Sequence, residues 1–515
     1  MPTYLSPGVY VEEIDSGSRP IEGVGTAVAA FVGIAEAGPF NEPTLVTNWS
    51  QFTSNFGDFV PGSYLAHAVY GFFQNGGGAC YIVRIGQANG ELPASAAAEL
   101  GAGGDASANG YRIQALEPGS AGNELSVEIS DATPVEGAEG TPEEAFKLTV
   151  KRGNRVEETF DNLTSKRGKQ NAVTVVNAQS KLIRLQEVGT GALERVDRTN
   201  LSLSGGGAPI PASLGPDDYV GDPADRTGFG GLEAVDTITM LAVPDLMAAY
   251  RSGRIDLEGV QAVQLAMIAH CELMGDRMAI LDPPPEMNAQ QIREWRVDRA
   301  GYDSKYATLY WPWLKTMDPS TGTMTFIPPS GHVAGIWGRN DDTRGVWKAP
   351  ANEVIRGAVS LQAGLTSREQ ELLNPVGINC IRAFPGRGIR IWGARTLSSD
   401  PAWRYVNVRR LFNYLEKSIL TNTDWVVFEP NDRDLWARIR RTIGAFLVME
   451  WRKGALFGNT PSEAFYVKCD DETNPAEAID LGQVTCEIGV APVKPAEFVI
   501  FRLSQFSGGT SLLAE

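Results

Sequence analysis

Two separated stretches of this chain carry the same alternation of short apolar runs and longer helical periods, and that alternation limits the fold more than any other feature. The first lies within 25–86. Thr26–Ile34 is a continuous apolar run, as expected for a strand buried on both faces. Leu65–Asn75 follows as a helix with Leu65, Val69, Phe72 and Phe73 on one stripe, stopped by Gly76-Gly77-Gly78, and Ala79–Ile85 is a second buried strand. The second stretch lies within 232–370. There Thr237–Val243 reads as a strand, Asp256–Gly275 as a helix, Arg277–Leu281 as a strand, Asn288–Ala300 as a helix and Lys305–Tyr310 as a strand. Strands that alternate with helices need crossover connections, which give a largely parallel sheet. The expected fold class is α/β, α+β overall: one α/β domain interrupted in the middle.

The interruption has a different texture. Residues 87–107 are rich in Ala, Gly and Glu and read as a linker. Short strands separated by turn residues follow at Tyr111–Ala115, Leu125–Ser130, Phe146–Lys151 and Lys181–Leu185. Residues 204–231, with Gly205-Gly206-Gly207 and several Asp-Pro or Pro-Asp steps, form the return. The expected organisation is a middle α/β domain at 25–107 and 231–373 and an outward-facing β-rich insertion at 108–230. A C-terminal α+β domain at 374–490 completes it, with extended arms at 1–24 and 491–515.

The C-terminal part opens with strands Ile378–Ala383 and Gly388–Gly393. Two long helices follow, about Trp403–Thr421 and Asp432–Lys453, then late strands Ala464–Cys469 and Val484–Val490. The helices are basic, with Arg433, Arg438, Arg440, Arg441, Arg452 and Lys453 on the second. The chain as a whole is acidic, with a formal net charge of −17. That contrast of sign marks the helices as a candidate docking face for an acidic partner. The bases are not interleaved with aromatics in a nucleic-acid module, so no nucleic acid is expected as a partner.

Both ends read as unfinished β-structure. Tyr4, Leu5, Val9, Tyr10, Val11 and Ile14 form an apolar stretch led by Pro2 and Pro7, and residues 16–25 tether it to the body. At the other end Phe498, Val499, Ile500, Phe501 and Leu503 make a second apolar strand, with 488–496 as its hinge. Each is either an edge strand of the chain's own sheet or an arm added to a neighbour's sheet.

Chemistry is sparse. At 43% hydrophobic and 21% charged, the chain is ordinary globular protein. Cys80, Cys271, Cys380, Cys469 and Cys486 form no CxxC pair and read as free thiols made in a reducing compartment. No stretch has the length of a membrane span, so synthesis in the cytoplasm without membrane insertion is expected. There is no GxxxxGK[ST], no GxSxG and no HExxH. His67 and His270 sit in apolar helices as packing residues, and His332 lies in a Ser-Gly-His loop. No cofactor or metal is expected. An α/β enzyme with a β-rich accessory domain remains the alternative. Its acid–base or metal-binding candidates are Asp245 and Asp282, each just after a strand, where ligands bind in doubly wound sheets. The structural reading of the same residues is capping.

Several stretches together resemble the contractile tail sheath proteins of phages and related injection particles. They are Tyr4-Leu5-Ser6-Pro7-Gly8-Val9-Tyr10-Val11-Glu12-Glu13, then Thr26 through Gly33, and Glu117-Pro118-Gly119-Ser120-Ala121-Gly122-Asn123-Glu124-Leu125. The most specific runs from Asn374-Pro375-Val376-Gly377-Ile378-Asn379 to Trp392-Gly393-Ala394-Arg395-Thr396. The resemblance implies a structural subunit, not an enzyme. Such subunits stack as six-membered rings around an inner tube, exchange terminal strands with neighbours and contract without consuming nucleotide. Implied partners are other copies of the chain, an inner tube protein, and baseplate and terminator or cap proteins, in a phage tail or a released particle.

Overall fold

The computed structural model describes residues 21–86, 95–101, 110–116, 120–133, 145–153, 155–166, 168–188, 198–206 and 214–502. By contact density these fall into two compact units. One comprises residues 27–339 and 351–398; the other comprises 21–26, 340–350 and 399–502.

The first unit is built on a nine-stranded sheet. Its order is Glu353–Val354, Gly388–Ile391, Ile378–Phe384, Ala307–Trp311, Met278–Leu281, Met240–Ala242, Val28–Gly33, Ala79–Arg84 and Thr44–Val46. The six strands from Ile378–Phe384 to Ala79–Arg84 pair in parallel, and antiparallel strands close both margins. All five residues of Ala307–Trp311 and all four of Met278–Leu281 are buried, as continuous apolar runs require when helices cover both faces. The helix Leu257–Met274 is delimited by its sequence. Asp256 accepts the Gly259 N–H at its start, and Gly275 ends it in the left-handed region at φ 66°.

Two boundaries differ from expectation. Ile378–Phe384 and Gly388–Ile391, read as the opening of the C-terminal domain at 374, belong to the large sheet, and the unit boundary falls after Ser398. The sequence segment most specific to the resemblance explains this join. The buried Asn379 carboxamide donates to the Arg395 carbonyl at 2.8 Å and accepts from the Arg395 N–H at 2.7 Å. It thus acts as a substitute strand for 393–396. A Cβ on Gly393 would lie 2.9 Å from the Asn379 side-chain oxygen, so the close approach needs glycine. Within the supposed linker 87–107, Ala97–Gly101 is a strand.

The insertion contains two antiparallel sheets. Thr199–Ser202, Leu125–Asp131, Phe146–Arg152 and Arg155–Leu163 form one; Ala97–Gly101, Gly110–Ala115 and Ile183–Val188 form the other. Alternate residues share one core, including Val127, Ile129, Leu148, Val150, Ile113 and Leu185. The helix Ala172–Gln179 adds Val176. Asn123, in the turn carrying part of the resemblance, grips Gly206 through both its N–H and its carbonyl. That clamp fixes where the returning chain leaves the insertion.

The longest helix that the sequence reading missed is Ser330–Arg344. It contains Gly331, Gly335 and Gly338, and its start, Ser-Gly-His, reads as a loop. A Cβ on Gly331 would fall 2.3 Å from the Ala68 carbonyl oxygen, and one on Gly335 2.3 Å from that of Phe72. The helix crosses Leu65–Gln74 backbone against backbone, and the intrinsic cost of glycine is offset by that packing. His332, expected in a loop, is buried in this helix.

The second unit packs helix Val406–Asn422 with helix Arg433–Arg452. Leu411, Leu415, Leu435, Trp436, Ile439, Ile443, Phe446 and Leu447 form its core. Beside the helices lies a two-stranded antiparallel sheet, Phe465–Lys468 with Glu487–Val490.

Candidate functional site

In a parallel sheet the chain's reversal of strand order opens a crevice at the strands' carboxyl ends. Here that reversal lies between Val28–Gly33 and Met240–Ala242, and Asp245 sits there. The crevice is filled by the chain itself. The fully buried Asp245 carboxylate accepts from the N–H groups of Ile34 (2.6 Å), Leu65 (3.1 Å) and Tyr64, and from the Ser63 hydroxyl (2.9 Å). It caps the start of helix Leu65–Gln74. A Cβ on Gly33 would already lie 2.5 Å from its oxygen. Asp282 accepts the Ser330 N–H at 3.0 Å and the Ser330 hydroxyl at 2.5 Å, capping helix Ser330–Arg344. Each carboxylate therefore caps a helix distant in sequence and presents nothing to a substrate. Among the described residues no cluster of three or more His, Cys, Asp or Glu is placed to hold a metal.

Burial pushes the Asp245 carboxyl up to about 6 and that of Asp282 up to about 7, against hydrogen bonds that act the other way. A carboxyl that holds its proton more tightly folded than unfolded favours folding most below the unfolded pKa of about 4. That contribution is lost as pH rises through about 6 to 7. Asp282→Asn removes the titration. The stability advantage of the unaltered chain over the variant should therefore shrink between about pH 4 and pH 8. The change amounts to about 1.4 kcal/mol for every tenfold difference in proton affinity between the folded and unfolded chain. Denaturant midpoints across that range check the sign; an advantage that widens with pH contradicts it.

The second unit holds the roots of both terminal segments. Ile21 is 2% exposed in its core. The Val24 N–H donates to the Ser418 hydroxyl at 3.1 Å, and Asn422 donates to the Glu22 carbonyl at 3.1 Å. Residues 21–24 are thus strapped along helix Val406–Asn422, and the tether expected at 16–25 is anchored from Ile21 onward. At the other end, the expected hinge 488–496 is pinned as well. Glu487–Val490 is a strand, the Ala491 N–H bonds the Ala464 carbonyl, and the Asn407 carboxamide holds the Val493 carbonyl. The Tyr405 hydroxyl donates to Glu497 at 3.1 Å.

Phe498, Val499, Ile500 and Phe501 then run free, 66–84% exposed, with no ladder to any described strand. Leu503 lies outside the described residues, as do Tyr4, Leu5, Val9, Tyr10, Val11 and Ile14. Four consecutive exposed apolar residues are a liability unless a partner covers them. The same unit carries a small sheet. That sheet has only two described strands, so each keeps an outer edge with no described strand against it. Two strands alone are marginal in water, and this pair leans on helix Arg433–Arg452.

The candidate cations separate into three sets. Arg440 turns inward and donates to the Cys469 carbonyl. Arg433 pairs with Asp471 at 3.0 Å, Lys453 with Glu450 at 2.8 Å, and Arg438 with Glu429 at 2.9 Å. Arg438 also lies over the Trp425 ring. Arg441 and Arg452 are exposed without an ion pair among the described residues. They lie about three turns apart on one face, and exposed Met449 is on the same side. The sequence reading missed Phe428, which is fully exposed at φ 65° in the loop between the two helices. Its signal was the apolar run Trp425-Val426-Val427-Phe428 in a segment that should be polar.

Residues 231–397 match the phage tail sheath protein central domain, and residues 398–506 match the phage tail sheath C-terminal domain. The division falls where the units part after Ser398. The tail sheath protein of Vibrio phage KVP40 is 28% identical over 207 residues, which are 39% of this chain and 30% of that protein. The chain thus covers less than a third of that relative. The tail sheath protein of Burkholderia phage BcepMu is 22% identical over 523 residues, covering 96% of this chain and 95% of that one. In fold, the chain is similar to one in the contracted helical sheath of the anti-feeding prophage. The TM-score is 0.58 at 24% identity, covering 98% of this chain and 100% of that one.

Proposed function

The chain belongs to the contractile tail sheath family, and from that premise we propose that it polymerises as stacked hexameric rings around an inner tube. Contraction of the lattice drives the tube through a target envelope without nucleotide hydrolysis, the energy being stored in a metastable assembly. The observation that carries this reading is the pairing of needs within one unit. An unpaired apolar segment, Phe498–Phe501, leaves beside a two-stranded sheet with two open edges. A strand donated head to tail is a heterologous contact, and such contacts propagate into rings and filaments. The N-terminal residues Tyr4, Leu5, Val9, Tyr10, Val11 and Ile14 supply the second strand. Ile21 and Glu497 are the points from which the two arms extend, so compact units move as rigid bodies while the arms keep neighbours joined.

Arg441 and Arg452, with Phe428 in the loop that precedes their helix, are the proposed contact with an acidic inner tube. Phage tail and released injection particle both fit this reading, with cytoplasmic synthesis before assembly and a baseplate and cap at the ends. Electron microscopy of the chain co-expressed with its tube protein should show long striated tubes. A discrete small oligomer carrying a bound metabolite would instead revive the enzyme alternative. The double variant Arg441→Glu/Arg452→Glu should keep the fold, since exposed substitutions of this kind shift stability by about 0.5 kcal/mol or less. It should lose co-sedimentation with preformed tubes, and retention of full binding would remove this face from the contact.

A further inference from the structure

Cys469 and Cys486 flank the two-stranded sheet. The register ends with Lys468 opposite Glu487, so the next pair outward is Cys469 and Cys486. Facing residues in an antiparallel pair have Cα atoms about 4.5–5.5 Å apart, inside the range that a disulfide spans. Each thiol is close enough to act on the other's proton affinity. A neighbouring side chain holds them in register. Buried Asn474 accepts the Thr485 N–H at 2.6 Å, donates to the Thr485 carbonyl at 3.0 Å and reaches the Cys469 sulfur at 3.7 Å. Arg440 lies against the same corner through the Cys469 carbonyl. The other three cysteines are fully buried in the other unit, each far from any such partner position in the strand register.

We propose that Cys469 and Cys486 are a redox site, forming a reversible intrachain disulfide with an oxidised low-molecular-weight disulfide as the electron acceptor. Cys486 is the more accessible of the two and reacts first. Its thiolate attacks one sulfur of the acceptor, and the other sulfur leaves as a thiolate that takes up a proton. The Cys469 thiolate then attacks the Cys486 sulfur of the mixed disulfide and expels the second small thiol. Two protein thiols and one small disulfide become one protein disulfide and two small thiols, with two electrons passed to the acceptor. Burial holds both thiols above the usual range, Cys486 up to about 12, with the Arg440 charge opposing. Both are therefore protonated and slow to react during synthesis in reducing surroundings. Once formed, the bond ties the two strands together at the mouth of the loop 470–485. The chemistry stands whether or not this sheet receives a neighbour's strand.

The test uses the purified full chain, incubated at neutral pH with oxidised glutathione, then acid-quenched, unfolded and alkylated. Expected is alkylation of Cys80, Cys271 and Cys380 only. A protease cutting at acidic residues should release the segments holding Cys469 and Cys486 as one disulfide-linked species, split by reductant. Native proteolysis within 470–485 should slow several-fold in the oxidised chain. The link should vanish in both Cys469→Ser and Cys486→Ser. Three outcomes overturn the proposal: alkylation of both cysteines after prolonged oxidation, a stable glutathione adduct on Cys486 with Cys469 still free, or a Cys486 link between two chains.

Discussion

Deleting residues 1–20, or ending the chain after Glu497, is expected to abolish tube formation and leave a soluble, folded chain. The cut at 20 spares Ile21, which is packed in the core of the C-terminal unit, and the cut after 497 spares the Tyr405–Glu497 bond. The second deletion removes Phe498–Phe501, which are exposed and pair with no described strand, and the first removes the proposed N-terminal arm. On the proposed reading both arms support a neighbour. Burying an exposed apolar side chain is worth about 1.5–3 kcal/mol, so two inward-facing residues of each arm, with the ladder bonds, contribute several kcal/mol to every subunit contact. Losing that at every contact leaves a lattice nothing to propagate with. Sedimentation and electron microscopy read the assembly, and circular dichroism with a denaturant midpoint reads the fold. Normal tubes from either truncated chain would end the role of that arm, and loss of fold would show that the arm belongs to its own body.

Asp341→Ala is expected to cost about 3–5 kcal/mol, among the largest single-residue effects in the molecule. Arg410 meets Asp341 through both guanidinium ends, at 2.9 and 2.6 Å, with the two side chains only 3% and 4% exposed. The same groups secure the root of the N-terminal arm. Arg410 donates to the Thr26 carbonyl at 2.9 Å, and the Thr26 hydroxyl donates to Asp341 at 2.7 Å. Removing the acid strands a buried guanidinium, which is worse than never having had the pair. The double variant Arg410→Met/Asp341→Leu should therefore recover most of the loss, because well-packed apolar replacements of buried pairs are close to neutral. Denaturant unfolding of the three variants checks this. A single-variant cost under about 1 kcal/mol would mean that water reaches the pair.

The elements that could be read from the chain are those whose signals are local. Thr26–Ile34 and Ala79–Ile85 announced buried strands by continuous apolar runs, and both lie inside the nine-stranded sheet with a strand on either side. Asp256 and Gly275 bracketed their helix at the residues where the structure caps it. Asn48, a residue type that favours helix starts, caps Trp49–Phe56, with its side chain accepting the Gln51 N–H. The exposed apolar tail at Phe498–Phe501 was visible because nothing nearby in sequence could cover it.

The amino-acid order thus determined the strand and helix periods, the caps and the presence of unsatisfied apolar ends, because each depends on residues within a turn or two of one another. Tertiary structure alone decided the rest. It put Ile378–Phe384 into the large sheet, made a helix of glycine-rich Ser330–Arg344, turned Asp245 and Asp282 into remote caps and divided the arginines of one helix into inward, paired and free. Those outcomes depend on which groups distant in sequence come within about 3 Å, the range in which a hydrogen bond is made or a Cβ excluded. No periodicity carries that information.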